Sequence, residues 1–162
     1  MITIINQVVQ RTRQHHAIEH ATIHLLNERY ANRRYSGLSD VMGFTIVGAI
    51  HEEELRQTVG NALLRLQAGE THLAIHPNCG TNLATAGVLV TLIGMLFGGA
   101  RGSFWNRFSV ALPLVLIALI QSRPLGFYFQ QYTTLAQVAD RWVVDVQPIS
   151  LFGRPAHRVI FE

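Results

Sequence analysis

Four histidines fall within ten residues of this chain, in the string His15-His16-Ala-Ile-Glu19-His20-Ala-Thr-Ile-His24. On a helix, positions four apart share a face, so His16, His20 and His24 line one stripe. Two imidazoles one turn apart can point at a single metal ion, as they do in zinc-protease helices. Glu19 lies about 60° around the helix from His16 on a 3.6-residue turn. From there it can serve as general base toward a metal-activated water. The order His16-x-x-Glu19-His20 has the form of the inverted zinc-protease motif, H-x-x-E-H.

A catalytic zinc takes three protein ligands and keeps one position open. The string His76-Pro77-Asn78-Cys79-Gly80-Thr81 offers the third. Pro77 fixes a turn and Gly80 frees the backbone, so a His and a Cys three residues apart can converge on a borderline metal. Cys79 as thiolate with His16 and His20 makes a Cys-His-His site. His76 is the competing third ligand, or a fourth. As the single cysteine, Cys79 has no internal disulfide partner, which leaves it as an apolar filler, a reactive thiol or a ligand. The plainer alternative is a histidine-rich polar helix face and a structural turn. His24 is expected to support or pack rather than to ligate. His51, His72 and His157 are isolated and are expected at the surface or at caps. Asp40 and Asp145 can each orient a ligand histidine, and nothing in the sequence selects either.

These residues need elements to carry them. Residues 3–34 read as one long helix, because no Gly or Pro interrupts them and Ser36-Gly37 then punctuates the chain. Residues 43–50 read as a half-buried strand. Residues 52–68 read as an amphipathic helix. Glu52, Glu53 and Glu54 favour its N-terminal dipole, Leu55, Val59, Leu63, Leu64 and Leu66 recur at helical spacing, and Gly69 stops it. A short strand over 71–76 completes an expected β-α-β unit. Residues 142–146 and 158–161 read as a C-terminal strand pair, joined through Pro148 and Gly153.

The middle of the chain is different. Charged residues make up 14% of the sequence, against roughly 25% in a soluble domain. None occurs between Glu70 and Arg101, nor between Arg107 and Arg123. Residues 82–100 are long enough, at about 1.5 Å per residue, to cross a hydrocarbon core of roughly 30 Å. Gly87, Gly94, Gly98 and Gly99 give that helix a small-residue face for close approach to a partner helix or a second copy. Residues 108–122 make a shorter second span around Pro113, with Trp105, Phe127, Tyr128, Phe129 and Tyr132 suited to the aromatic belt. The expected organisation is therefore an α+β membrane protein. Residues 1–81 form a soluble part with the histidine helix, 82–122 a transmembrane helical hairpin, and 123–162 an interfacial helix with a β-hairpin that completes the soluble part. A helical hairpin buried in a soluble core is the alternative, and two such long uncharged runs are hard for the rest of the chain to cover.

The formal charge is +3, and all 13 basic residues are arginine. Their scatter makes no basic patch, which argues against nucleic acid as a partner. Met1-Ile-Thr-Ile-Ile lacks the features of a signal peptide, so the first 70 residues are expected to stay where they are made. That favours a cytoplasmic soluble part at the cell membrane. Arg101 and Arg107 argue weakly for the opposite orientation.

At these residues the chain resembles the YqhQ-like membrane proteins, the DUF1385 family, and the shorter related family DUF6391. The resemblance rests on His-x-x-Glu-His at 16–20, on the His76-Pro-Asn-Cys-Gly-Thr81 turn ahead of an apolar helix, and on Leu125-Gly-Phe-Tyr-Phe-Gln-Gln-Tyr-Thr-Thr134. It implies a membrane protein of a group described as predicted metal-dependent enzymes, with metal-binding potential at His16, Glu19, His20, His76 and Cys79. The His15-His16 pair and the extended C-terminal strands depart from the longer family. Together the residues and the resemblance suggest a zinc-dependent hydrolase, peptidase-like in its motif, with Glu19 as base. A non-enzymatic metal-binding role in assembly of a membrane complex, with His16, His20, His76 and Cys79 all coordinating, is the alternative. A metal-free membrane scaffold is the third reading.

Overall fold

The computed structural model describes residues 2–98 and 103–162. Gly99, Ala100 and Arg101, which enter the span and orientation arguments, lie outside the described residues. The chain divides into two compact units. One joins Met1–His76 to Thr133–Glu162, and the other is Pro77–Tyr132.

The first unit is an α+β body. Helix α1 (Ile2–Arg29) is followed by strands β1 (Ser36–Asp40) and β2 (Gly43–Val47), helix α2 (Glu52–Gln67) and a 3-10 turn at Thr71–Ala74. After the second unit come β3 (Val143–Leu151) and β4 (Arg154–Phe161). The four strands form one sheet in the order β1-β2-β4-β3, every neighbour antiparallel. Ile18 and Leu26 of α1, Phe44 and Ile46 of β2, Leu55 and Val59 of α2, and Val146 and Val159 of the C-terminal strands share one buried core. In α2 the residues that reach it are Leu55, Val59, Ala62, Leu63 and Leu66, the three- and four-residue spacing of a helix with one apolar face. Leu64, counted in that repeat from sequence, faces outward.

Several expected elements change. The first helix ends at Arg29, and the chain beyond it forms β1, a strand that the sequence did not announce. Ser, Gly and Asp are poor strand formers, and β1 is held by its pairing with β2 from Ser36↔Val47 to Asp40↔Gly43. The expected β-α-β unit is absent, because residues 71–76 make a 3-10 turn followed by extended chain. A ladder would have engaged carbonyls that instead accept side-chain hydrogen bonds. The C-terminal strands are longer than expected. Pro148 lies within β3, tolerable because β3 is a sheet edge. The β3–β4 turn is Phe152-Gly153, with φ of 51° and 73°.

The second unit is a helical hairpin of α3 (Gly80–Gly98) and α4 (Phe104–Thr133). The sequence suggested that the second helix stops at Ser122, before Arg123-Pro124. Instead α4 continues through Pro113 and Pro124, and the expected interfacial helix is its last turns. A proline removes one hydrogen bond from a helix, and contacts beyond Pro124 hold that end in place. Ala118, Ser122, Gly126 and Gln130 are buried at four-residue spacing. Gly126 lies against Asn82, where a Cβ would collide with the Asn82 backbone. Gln130 donates to Asn82 Oδ1 at 2.9 Å, and Asn82 donates to the Pro77 carbonyl at 2.7 Å.

Both helices are long and apolar enough to cross a membrane. Only 6% of the apolar stretch of α3 and 17% of that of α4 is buried, whereas core helices of a soluble protein are mostly covered. A Cβ at Gly87 or Gly94 would meet nothing within 4 Å, so the small-residue face is not used for packing among the described residues.

Candidate metal centre

Within the body, α1 separates its adjacent histidines. His15 turns into the core. Its Nδ1 hydrogen-bonds the Asp40 carbonyl at 2.8 Å, and its ring packs 5.0 Å from that of Phe161. His16, about 100° further round the helix, joins His20 instead, with ring centroids 4.3 Å apart. His76 follows the 3-10 turn and lies 5.7 Å from His20 and 4.7 Å from His24. Four imidazoles are therefore gathered along one stripe of α1 and the chain that faces it.

The hydrogen bonds of these rings fix which nitrogen carries the lone pair. His16 Nδ1 lies 3.0 Å from the Thr133 carbonyl, and His20 Nδ1 lies 2.7 Å from the Ala74 carbonyl. A carbonyl oxygen only accepts, so each Nδ1 bears the hydrogen and each Nε2 bears the lone pair. Backbone anchoring of one ring nitrogen is how metal-ligating histidines are oriented. A ring nitrogen of His16 lies within 4.8 Å of one of His20, a separation that one ion can bridge with bonds of about 2.0–2.1 Å. His24 has the opposite pattern. Its Nε2 donates to the Ile75 carbonyl at 2.8 Å, which fixes the peptide just before His76.

Burial makes the rings of His20 and His76 prefer neutrality. His20 is pushed down to about 3, chiefly by burial, with His16 adding to the effect and the Ala74 hydrogen bond opposing it. His76 is pushed down to about 4 by burial and by His24. The neutral ring is the form that binds a metal.

Glu19 is buried on the neighbouring face of α1, over β1. Ser39 Oγ donates a hydrogen bond to its Oε2. A Cβ at Gly37 would collide with the Glu19 carboxyl, so this close approach requires glycine. Burial raises the Glu19 pKa, against the opposing effects of Ser39 and His16. Neither aspartate singled out from sequence orients a member of the cluster through its carboxylate. Asp40 is bound by Arg158 at 2.6 Å and by the Met42 N–H, while Asp145 is bound by Arg56 and Gln147. His51 and His72 are exposed as expected. His157 is not. It is buried on β4, opposite Ile46 and Pro148.

Cys79 belongs to the hairpin unit. It is buried at the start of α3, where the Thr81 N–H donates to its Sγ at 3.3 Å. Two residues of chain, Pro77 and Asn78, separate it from His76.

The sequence singled out His16, His20, His76, Cys79 and Glu19 as candidates. It missed Ser39 and Gly37, and it could not have found the Ala74 and Thr133 carbonyls, since a backbone acceptor has no residue type. The one usable signal was Gly37, which read only as punctuation.

The family model called domain of unknown function DUF6391 matches residues 11–146. An uncharacterized protein of Picosynechococcus sp. is 32% identical, with 91% of this chain and 77% of that protein covered. No solved structure matches the chain. The matched region contains the histidine stripe, the His76–Cys79 turn, both apolar helices and the first strands of the sheet, and by this match the chain belongs to the DUF6391 family.

Proposed function

We propose that this chain is an integral membrane protein that binds one divalent metal ion, zinc by its donors, through His16, His20 and Cys79, and that it acts as a metal-dependent hydrolase. The observation that carries the metal reading is the pair of backbone-anchored imidazoles, His16 and His20, with both Nε2 lone pairs on one helix stripe. Two nitrogens and a thiolate suit zinc's preference for N and S donors. Iron, cobalt or copper accept the same set. When bound, the metal supplies Lewis acidity. The resemblance to the YqhQ-like proteins supports the same donors.

The protein's own groups would do the rest. The Thr133 and Ala74 carbonyls hold the two rings in their binding tautomer. Glu19 accepts a proton at its carboxylate, and Ser39 fixes the orientation of that carboxylate. The apolar α3 and α4 support a bilayer location, with the body on the cytoplasmic side of the cell membrane.

One observation favours a second reading, a non-enzymatic metal module that assists assembly of a membrane complex. His76 stands beside His20 and can complete a four-ligand set, and Glu19 is engaged by Ser39 over β1. A structural zinc site has four protein ligands and no open position.

The test is metal content of the detergent-purified protein beside His20→Ala and Cys79→Ser variants. About one zinc per chain, lost in both variants, is the expected result. Cobalt in place of zinc should give a thiolate-to-cobalt absorption band that Cys79→Ser abolishes. Full metal retention by Cys79→Ser would remove the thiolate from the site. Retention in His76→Ala, with an exchangeable water on the metal, would favour the hydrolase over the four-ligand module.

A further inference from the structure

The first turns of α1 do not belong to the body's core. The buried residues of that helix begin at Gln14, whereas Ile4, Ile5, Val8 and Val9 are exposed by 65%, 57%, 43% and 50%. At about 100° per residue these four fill an arc of roughly 140°. The rest of the circumference carries Thr3, Asn6, Gln7 and Gln10. Arg11 lies about 20° beyond one edge of the apolar arc, and Arg13 about 40° beyond the other. Arg11 is exposed, while Arg13 bonds the Thr134 carbonyl. No Asp or Glu precedes Glu19, so every formal charge on the side chains of this segment is positive.

We infer that residues 3–12 lie in the headgroup layer of an anionic lipid bilayer. Ile4, Ile5, Val8 and Val9 reach toward the acyl chains, and Arg11 meets the anionic headgroups. An exposed apolar arc with an exposed cation at its edge and no acidic residue fits a helix in the plane of a membrane surface. The charge complement of such a segment is an anionic surface. A second copy of the chain fits less well. Four aliphatic side chains fall well short of the roughly 800 Å² per partner that a stable protein interface buries. The inference rests on the reading that the chain is an integral membrane protein.

The test places a photoreactive benzoylphenylalanine, one at a time, at Val8 on the apolar arc, at Gln10 on the polar side, and at Leu92 on α3. Each full-length protein is reconstituted in phosphatidylcholine vesicles with or without phosphatidylglycerol, irradiated, and analysed by mass spectrometry. Lipid adducts are expected at Leu92 and Val8 and not at Gln10. The Val8 yield should fall about fivefold when phosphatidylglycerol is omitted or Arg11→Gln is introduced, the effect of one arginine at a charged surface. Adducts at Leu92 with none at Val8 would overturn this inference and leave the membrane hairpin standing. Equal labelling of Val8 and Gln10, cross-links from Val8 to protein, or a Val8 yield indifferent to headgroup charge would also overturn it. No lipid adduct at Leu92 would defeat the membrane reading, and this inference with it.

Discussion

The two units of the chain solve burial in opposite ways. The body packs apolar side chains inside and ties polar ones that it buries into hydrogen bonds across the fold, as with Gln14, which donates to the Gln137 carbonyl and to Asp140. The hairpin presents Leu83, Leu92, Met95, Leu96 and Ile120 outward and keeps Gln130 and Ser122 inside. A helix pair in water would gain by reversing that arrangement. In lipid, outward apolar groups cost nothing and interior polar groups tie the helices together. Acidic residues and histidines divide the same way. Residues 77–132 contain no Asp, Glu or His, while all eight histidines lie in the body.

Acid should therefore separate the two units, and this is the largest effect expected. In the folded, metal-free body His20 is held near 3 and His76 near 4, against 6.5 in the unfolded chain. As pH falls below 6.5 the unfolded chain takes up these protons first, and each histidine withdraws about 1.4 kcal/mol of stability per pH unit. The stability is present above 6.5 and is lost as pH falls toward the folded values. Glu19 acts oppositely, because its folded pKa is raised above 4.5 and the folded carboxyl takes its proton first. At most it cancels one histidine. The body should lose at least roughly 3 kcal/mol between pH 6.5 and 4.5. Hydrogen exchange in the presence of a chelator, followed peptide by peptide, should show protection lost in the body and kept in α3 and α4. Simultaneous loss in both units, or a body unchanged at pH 4.5, would contradict the contrast.

That contrast also explains what the sequence could tell. The hairpin was legible because its long uncharged runs are visible without any structure. Helix α2 was legible because one buried face imposes a period. The sheet and the fine structure of the site were less so. Residues 71–76 read as a short strand, yet the Ala74 and Ile75 carbonyls accept hydrogen bonds from His20 and His24. Local pattern yielded to a tertiary demand. Likewise Ser-Gly-Leu-Ser-Asp reads as a loop, and only pairing with β2 and the room that Gly37 leaves for Glu19 make it a strand. Helical spacing was enough to find the candidate ligands. The acceptors that orient them were invisible because they are backbone.

A matched pair of charge insertions sharpens the comparison next. Leu92 on α3 and Leu64 on α2 are both exposed, by 51% and 64%. If the hairpin sits in a bilayer, Leu92→Arg places a guanidinium near mid-span and costs about 2.5–3.5 kcal/mol of insertion free energy. Leu64→Arg on the body should change stability by no more than about 0.5 kcal/mol. The carbonate-resistant membrane fraction reads the first, and urea unfolding of the body reads the second. Two equally silent substitutions would mean that both faces meet water.

A smaller gain is expected at an exposed apolar residue on the body. Phe152 is 96% exposed, and unlike the apolar residues of α3 and α4 it belongs to no helical face. It occupies the first position of the two-residue β3–β4 turn with φ of 51°, ahead of Gly153 at 73°. A bulky side chain is strained at positive φ, and hairpin turns of this kind favour Asn-Gly. Phe152→Asn keeps the turn, relieves the strain and removes an aromatic that packs against little. The body should gain about 0.5–1 kcal/mol, with its thermal midpoint rising by a few degrees. The gain should appear in detergent and in lipid alike, since the strain is confined to the turn. A loss of stability in lipid alone would show that Phe152 has the bilayer as its partner.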